Sequence, residues 1–195
     1  RALGRRALAV QADLTDENQI FQMFNAIRDT FGRLDILILN ASGGLELNMP
    51  ADYPMRLNRD AQVQAVALAL PLMPVGGRIV FVTSHYAHFY PEMPFPPEYE
   101  PVAASKNAGE AALRDRIPAL ADRDVTLVVI SGDIVKGTLA ATIVEYGYPN
   151  FLAEREEKAG VTLPTVDEFA AAVVDAALAP HSSGDTIVVG GPQPN

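Results

Sequence analysis

Four uninterrupted apolar runs constrain this chain most. "LDILILN" (34–40), "RIVFVTS" (78–84), "DVTLVVISG" (124–132) and "DTIVVGG" (185–191) are each too short for an ordinary helix. None shows the polar alternation of a strand with one wet face, so they read as strands covered on both faces. Helical patterns separate them. In "TDENQIFQMFNAIRDTFG" (15–32), Ile20, Phe24, Ile27 and Phe31 share one face, Thr15 or Asp16 can cap the start, and Gly32 can stop the end. Further helices are predicted around 55–73, from Pro101 to near Pro118, and over "TVDEFAAAVVDAAL", where Thr165 and Glu168 have capping-box spacing. "RALAVQAD" (6–13) is predicted as one more strand ahead of the first helix. Fully covered strands joined through helices pair in parallel with right-handed crossovers. The expected fold is α/β, a doubly wound parallel sheet in a single domain over residues 1–195.

Composition narrows the partners. With 49% hydrophobic and 20% charged residues the chain falls in the ordinary globular range, away from disorder. A net charge of -9 argues against a nucleic-acid partner, because phosphate binding needs clustered Lys and Arg. The densest basic run, "RALGRR", is short. The most apolar stretch, "AVALALPLMPVGG" (65–77), is too short to span a bilayer and is broken by Pro71 and Pro74. Absence of cysteine fits a cytoplasmic setting.

Five motifs in order then carry a family resemblance. They are "ADLTDENQIFQMFNAIRDTFGRLDILILNASGG", "GGRIVFVTSH", "SKNAGEAAL", "SGDIVKGT" and "SGDTIVVGG". In order and spacing they resemble the short-chain dehydrogenase/reductases. The resemblance implies hydride transfer between NAD or NADP and a small-molecule carbonyl or alcohol, in a homodimer or homotetramer. It implies an adenine contact at Asp13 and Leu14, and cofactor contacts at Asn40, Ala41 and Ser42, which stand where the family has Asn-Ala-Gly. Gly132 and Thr138 would lie under the nicotinamide, with Ser131 replacing the family's proline. The family's first two strands and its glycine-rich turn would precede Arg1, so about fifty further residues are expected upstream. Without them, "RALAVQAD" would lack a neighbour and "LDILILN" would show an unpaired edge.

The family's chemistry needs a proton as well as a hydride. By resemblance, Ser84 orients the carbonyl, Lys106 holds the ribose, and Asn58 holds a water of the proton relay. A tyrosine four residues before the lysine gives or takes the proton, but that position is Val102. The nearest substitute is Tyr99, seven residues before Lys106 and two helical turns away if the helix is continuous. His85, adjacent to Ser84, is a second candidate acid because imidazole titrates near neutrality. Blander roles stay open: Tyr99 as a packed loop aromatic, Ser84 as a turn residue, Asp13 and Asn40 as strand-end caps. His85 and His88 are too little for a metal site. The aromatic, proline-rich loop 85–101 suits an apolar pocket wall, and 135–164 reads as a helical lid over the substrate, with "EREEK" as a solvated face. The residues that would separate NAD from NADP fall in the expected upstream segment. An alternative to the enzyme is an inactive scaffold binding a nucleotide, or pairing through helices 55–73 and 101–118.

Overall fold

The computed structural model describes residues 4–46, 48–93 and 97–191. The apolar runs become four parallel strands in chain order: β1 Ile36–Leu39, β2 Arg78–Ser84, β3 Thr126–Gly132 and β4 Thr186–Val189. The longest pairing joins β2 to β3, in register from Arg78 opposite Thr126 to Ser84 opposite Gly132. Strand side chains alternate between faces, so each face of the sheet gathers its own helices. Ile79, Phe81, Leu127 and Val129 pack with Ile20, Phe24, Ala65, Val66 and Leu113. Those partners lie in helices Glu17–Phe31, Ala61–Ala69 and Glu100–Arg114. On the opposite face Val80, Val128 and Ile130 pack with Ala176 and Phe169 of helix Val166–Leu178.

The helix ends follow their local chemistry. The Asp16 side chain accepts from the backbone N–H groups of Asn18 and Gln19, and Gly32 closes the same helix in the left-handed region at φ 75°. Thr165 and Glu168 form the expected capping box. The segment 53–69 is one helical run interrupted by a π-helical turn, Arg56–Asp60, which turns Asn58 inward to 1% exposure. Pro118 does not end the preceding helix. That helix stops at Arg114, and Pro118 sits in the first turn of the short helix Ile117–Ala121, where its missing N–H is no loss.

One predicted strand does not form. Residues 6–13 run without strand pairing, and Leu8 and Val10 are 40% and 37% exposed. An extended segment becomes a strand only by exchanging backbone hydrogen bonds with a neighbour, and β1 pairs with β2 alone among the described strands. Ile38 on β1 is accordingly 46% exposed. Side-chain contacts hold the segment instead. Arg6 lies over the Phe31 ring at 4.9 Å, and the Asp13 N–H donates to the Gln19 side chain at 3.0 Å.

Helix Glu100–Arg114 approaches the π-helical turn as closely as it does because residue 109 has no side chain. A Cβ there would stand 2.2 Å from the Asn58 carbonyl oxygen. We expect Gly109→Ala to cost about 1–3 kcal/mol in urea unfolding by overpacking. Gly147→Ala, which meets nothing within 4 Å, should stay within about 0.5 kcal/mol. Equal losses at both positions would refute this account of the packing.

Candidate active site

The register of β2 on β3 ends both strands at one level, with Ser84 opposite Gly132. Ligands of open α/β sheets bind at this carboxyl edge. The chain turns there into helix His85–His88, and after a loop whose Pro94, Phe95 and Pro96 lie outside the described residues it returns at Tyr99 to begin helix Glu100–Arg114. Tyr99 folds back over the strand end. Its hydroxyl lies 3.4 Å from the Ser84 hydroxyl, and its ring meets the edge of Tyr86 at 5.6 Å between centroids. The separation is long for an O–H···O bond, so the two hydroxyls converge on one point more than they bind each other. Burial pushes the Tyr99 phenol above its usual range, opposed only by the Ser84 contact.

Val102 is spent on packing. It is 3% exposed, and one of its methyls stands 3.0 Å from where a Cβ on Gly44 would be, beside Pro54. Lys106 is half-buried and makes no hydrogen bond or ion pair with a described residue. Desolvation alone lowers its ammonium to about 8 from 10.5.

The remaining sequence candidates divide into exposed and committed groups. Asn40, Ala41 and Ser42 are exposed beyond β1. Asp13 is exposed too, and one of its oxygens accepts from the backbone and hydroxyl of Thr15, each at 2.8 Å, which holds its carboxyl below the ordinary value. Leu14 beside it packs against the core. Asn58 is fully engaged: its amide donates to the Gly43 carbonyl at 2.8 Å and the Ser105 hydroxyl at 2.9 Å, and its oxygen accepts from the Gly43 N–H at 3.2 Å. No N–H of that amide is left for a water. Gln62 adds a bond to the Ala41 carbonyl at 3.1 Å, so the helix 53–69 holds the whole loop after β1. Thr138 caps helix Leu139–Gly147 through its hydroxyl. Gly132 must lack a side chain, since a Cβ would stand 2.3 Å from the Phe169 ring.

His85 is 1% exposed, with Nδ1 2.8 Å from the Ser131 hydroxyl and Nε2 3.2 Å from the Gly190 carbonyl. A carbonyl only accepts, so we assign the proton to Nε2 and the Ser131 hydroxyl donates to Nδ1. Burial keeps the ring neutral. Both nitrogens are occupied, and His85 ties the end of β2 to β3 and to Gly190 just after β4.

Two polar clusters escaped the sequence reading. Glu110 accepts from His88 at 2.8 Å and from Arg114 at 2.8 Å, and Arg114 continues to Gly184 and Thr186 at 2.7 Å. The spacing of Glu110 and Arg114, one helical turn apart, was its only signal. The second is Arg155, in "EREEK", paired with Asp133 directly after β3. Their side chains are 16% and 1% exposed, so this run is no mere solvated face.

Lys106 gives a sign-definite test. Below about pH 8 it is charged in both folded and unfolded chains, and the desolvation cost is fully present. Between about 8 and 10.5 the folded chain loses the proton first, so the unfolded chain binds more protons and stability rises with pH. We expect Lys106→Met to melt at a higher temperature than the parent near neutral pH, with the gap closing as pH approaches 10.5. Identical pH profiles would show that the ammonium is not desolvated.

Comparison with known proteins bears on the family and the fold. The sequence profile described as short chain dehydrogenase matches residues 1–147. Hydroxynaphthalene reductase arp2 of Aspergillus fumigatus is 33% identical over 92 residues, which cover 43% of this chain and 33% of that protein. Versicolorin reductase 1 of Dothistroma septosporum is 25% identical over 154 residues, 76% of this chain and 57% of the relative. The chain thus spans from 33% to 57% of the length of these curated relatives. A solved 7 alpha-hydroxysteroid dehydrogenase, complexed with NADH and 7-oxo glycochenodeoxycholic acid, shares the fold with a TM-score of 0.83 at 24% identity, over 99% of this chain and 77% of its own. The profile covers 147 of 195 residues, through the Ser84 strand end and the Lys106 helix, and so the chain belongs to the short chain dehydrogenase family.

Proposed function

We propose that the protein is an NAD(P)-dependent oxidoreductase that reduces a carbonyl, with Tyr99 as proton donor in place of the missing tyrosine at 102. One observation carries this reading: the Tyr99 and Ser84 hydroxyls converge within 3.4 Å at the carboxyl edge of the sheet. A carbonyl oxygen placed between them would accept from both. Catalytic hydrogen bonds are often long before substrate joins them. Ser84 polarises the carbonyl, and the Tyr99 Oη–H bond breaks as charge develops on the oxygen.

The nicotinamide cofactor, when bound, supplies the hydride. Lys106 fits the ribose, because a desolvated ammonium without a partner among the described residues would be stabilised by ligand oxygens. Asp13, Leu14, Asn40, Ala41, Ser42, Gly132 and Thr138 complete the proposed cofactor side. Asn58 fixes the loop after β1 through its side-chain amide, and in this reading it also holds the relay water, which would donate to one of its oxygens. His85 acts by tying Ser131 and Gly190 beneath the site.

Burial pushes the Tyr99 phenol up, so it is protonated near neutrality and has a proton to give to a carbonyl oxygen. One relative is named for hydroxynaphthalene, which makes a bicyclic aromatic carbonyl the probe of choice. Tyr86 and Phe89 supply aromatic surface nearby. Pairing into a homodimer or homotetramer through helices 53–69 and 100–114, in a cytoplasmic setting, belongs to the same reading; no helix of the described residues is long and apolar enough to cross a membrane.

In the full-length protein, Tyr99→Phe should lower kcat for 1-tetralone reduction by about a hundredfold or more, with NADH and NADPH each tried as donor and KM little changed. An unchanged kcat would refute Tyr99 as the acid. If the parent protein shows nicotinamide fluorescence enhancement but no reduction, the nucleotide-binding scaffold replaces the enzyme; if it shows neither, only the pairing scaffold is left.

A further inference from the structure

Ser84 and Tyr99 stand fifteen positions apart in the chain, so their meeting depends on how the two helices that follow them sit together. Ser84 is the N-cap of helix His85–His88, and Tyr99 is the N-cap of helix Glu100–Arg114. The sheet fixes the shorter helix, through the register of β2 and the bond between His85 and Ser131. The longer helix packs on the shorter one. Any slide or roll between them would carry the Tyr99 hydroxyl past Ser84.

Two side chains of the longer helix fasten it to the shorter one. The Asn107 amide donates to the Ala87 carbonyl at 2.9 Å. Three residues on, Glu110 accepts from His88 Nδ1 with both carboxylate oxygens, at 2.8 and 2.9 Å. A carboxylate only accepts, so we assign a proton to Nδ1. Glu110 is 5% exposed, and Arg114 holds it from another side while reaching Gly184 and Thr186 around the start of β4. Counting back from Asn107 by helical turns gives Ala103, which is fully buried, and then Tyr99, whose own backbone is helical at φ -86° and ψ -11°. Positions 99, 103, 107 and 110 therefore share one side of the helix. Packing alone would be served by apolar residues, as it is at Ala87 and Ala103, and a buried ion pair adds little net stability. What the polar set adds is direction. N–H···O bonds weaken steeply outside a narrow range of distance and angle, so they hold the two helices at one offset.

We infer that His88, Asn107 and Glu110 are positioning residues for the proposed reaction: the clasp they form between the two helices sets the Tyr99 hydroxyl against Ser84. The effect on turnover rests on the reading of Tyr99 as donor; the hold of the clasp on Tyr99 does not.

The test uses the full-length protein and two readouts. His88→Phe keeps a ring but loses the N–H, whereas His88→Gln keeps an N–H for Glu110. We expect His88→Phe to lower kcat for 1-tetralone reduction about tenfold at nearly constant KM, and His88→Gln to restore most of the parent rate. Asn107→Ala should repeat the loss. In a Tyr99→Phe background His88→Phe should cost no further rate, since both changes act on one group. The second readout needs no turnover: NMR of tyrosine labelled with 13C at Cζ, the Tyr99 signal being the one missing from Tyr99→Phe. Burial holds that phenol above its usual value, so His88→Phe and Asn107→Ala should bring its titration down towards that value, and His88→Gln should leave it in place. A Tyr99 titration unchanged in both His88→Phe and Asn107→Ala would overturn the clasp, whatever the rates do. Equal losses in His88→Phe and His88→Gln would overturn it too. Should His88→Phe fail to fold, Asn107→Ala decides by the same two readouts. If the titration moves while Tyr99→Phe keeps full activity, the donor reading falls and the clasp stands. If Tyr99→Phe is inactive and the titration never moves, the reverse holds.

Discussion

The pairing of β2 with β3 is the constraint on which the rest of the molecule depends. Its seven-residue register decides which side chains reach the carboxyl edge together, and it is locked at both ends by polar groups. At the amino edge Arg78 donates to the carbonyls of Ala176 and Ala179 at 2.9 and 3.1 Å, closing the C-terminus of helix Val166–Leu178. At the carboxyl edge the Ser131 hydroxyl meets His85 at 2.8 Å. A slip by one residue would exchange the two faces of the strand and separate both contacts. Ser84 would leave Tyr99 with them. The replacement of the family's proline by Ser131 is therefore not neutral: it gives β3 a hydroxyl that fixes the residue after Ser84.

Most of the fold was legible because its strands carry their burial in their composition. Continuous apolar runs such as 78–84 and 124–132 admit few arrangements other than parallel strands under helices. The caps at Asp16 and Thr165 were equally plain, since capping is a local matter of side-chain oxygen and adjacent N–H. Residues 6–13 show the limit of that reading. Their pattern states a preference for extended backbone, but a strand is a property of two segments, and no described segment answers this one.

The site was legible by type and less so by role. Ser84, Tyr99 and Lys106 stand at the carboxyl edge or on the helix beside it, as the spacing implied. The hydrogen-bond partners of Asn58 and His85 were not readable, because they lie far away in sequence: Ser105 for one, Ser131 and Gly190 for the other. Arg155 failed for the opposite reason. A charge within "EREEK" has every local mark of a solvated residue, and only the strand-end carboxylate of Asp133 makes it a buried one. Long-range polar pairing leaves almost no periodic trace, whereas apolar burial does.

Separating the tyrosine from the lysine has a physical consequence beyond geometry. At the usual four-residue interval an ammonium stands close enough to lower the phenol's pKa, and one pair serves both directions of the reaction. Here seven residues separate Tyr99 from Lys106, and Tyr99 lies in the turn before the helix that carries the lysine. The position between them belongs to Val102, which is 3% exposed and packed toward the backbone of Gly44. Burial pushes the phenol up, so it stays protonated near neutrality in folded and unfolded chains alike and costs the fold nothing there. The ammonium alone carries a desolvation cost, because burial brings it down to about 8 while the unfolded chain keeps it charged. In the proposed reading, oxygens of a bound ribose would offset that cost, so separating the two residues leaves the cofactor to Lys106 and the proton to Tyr99.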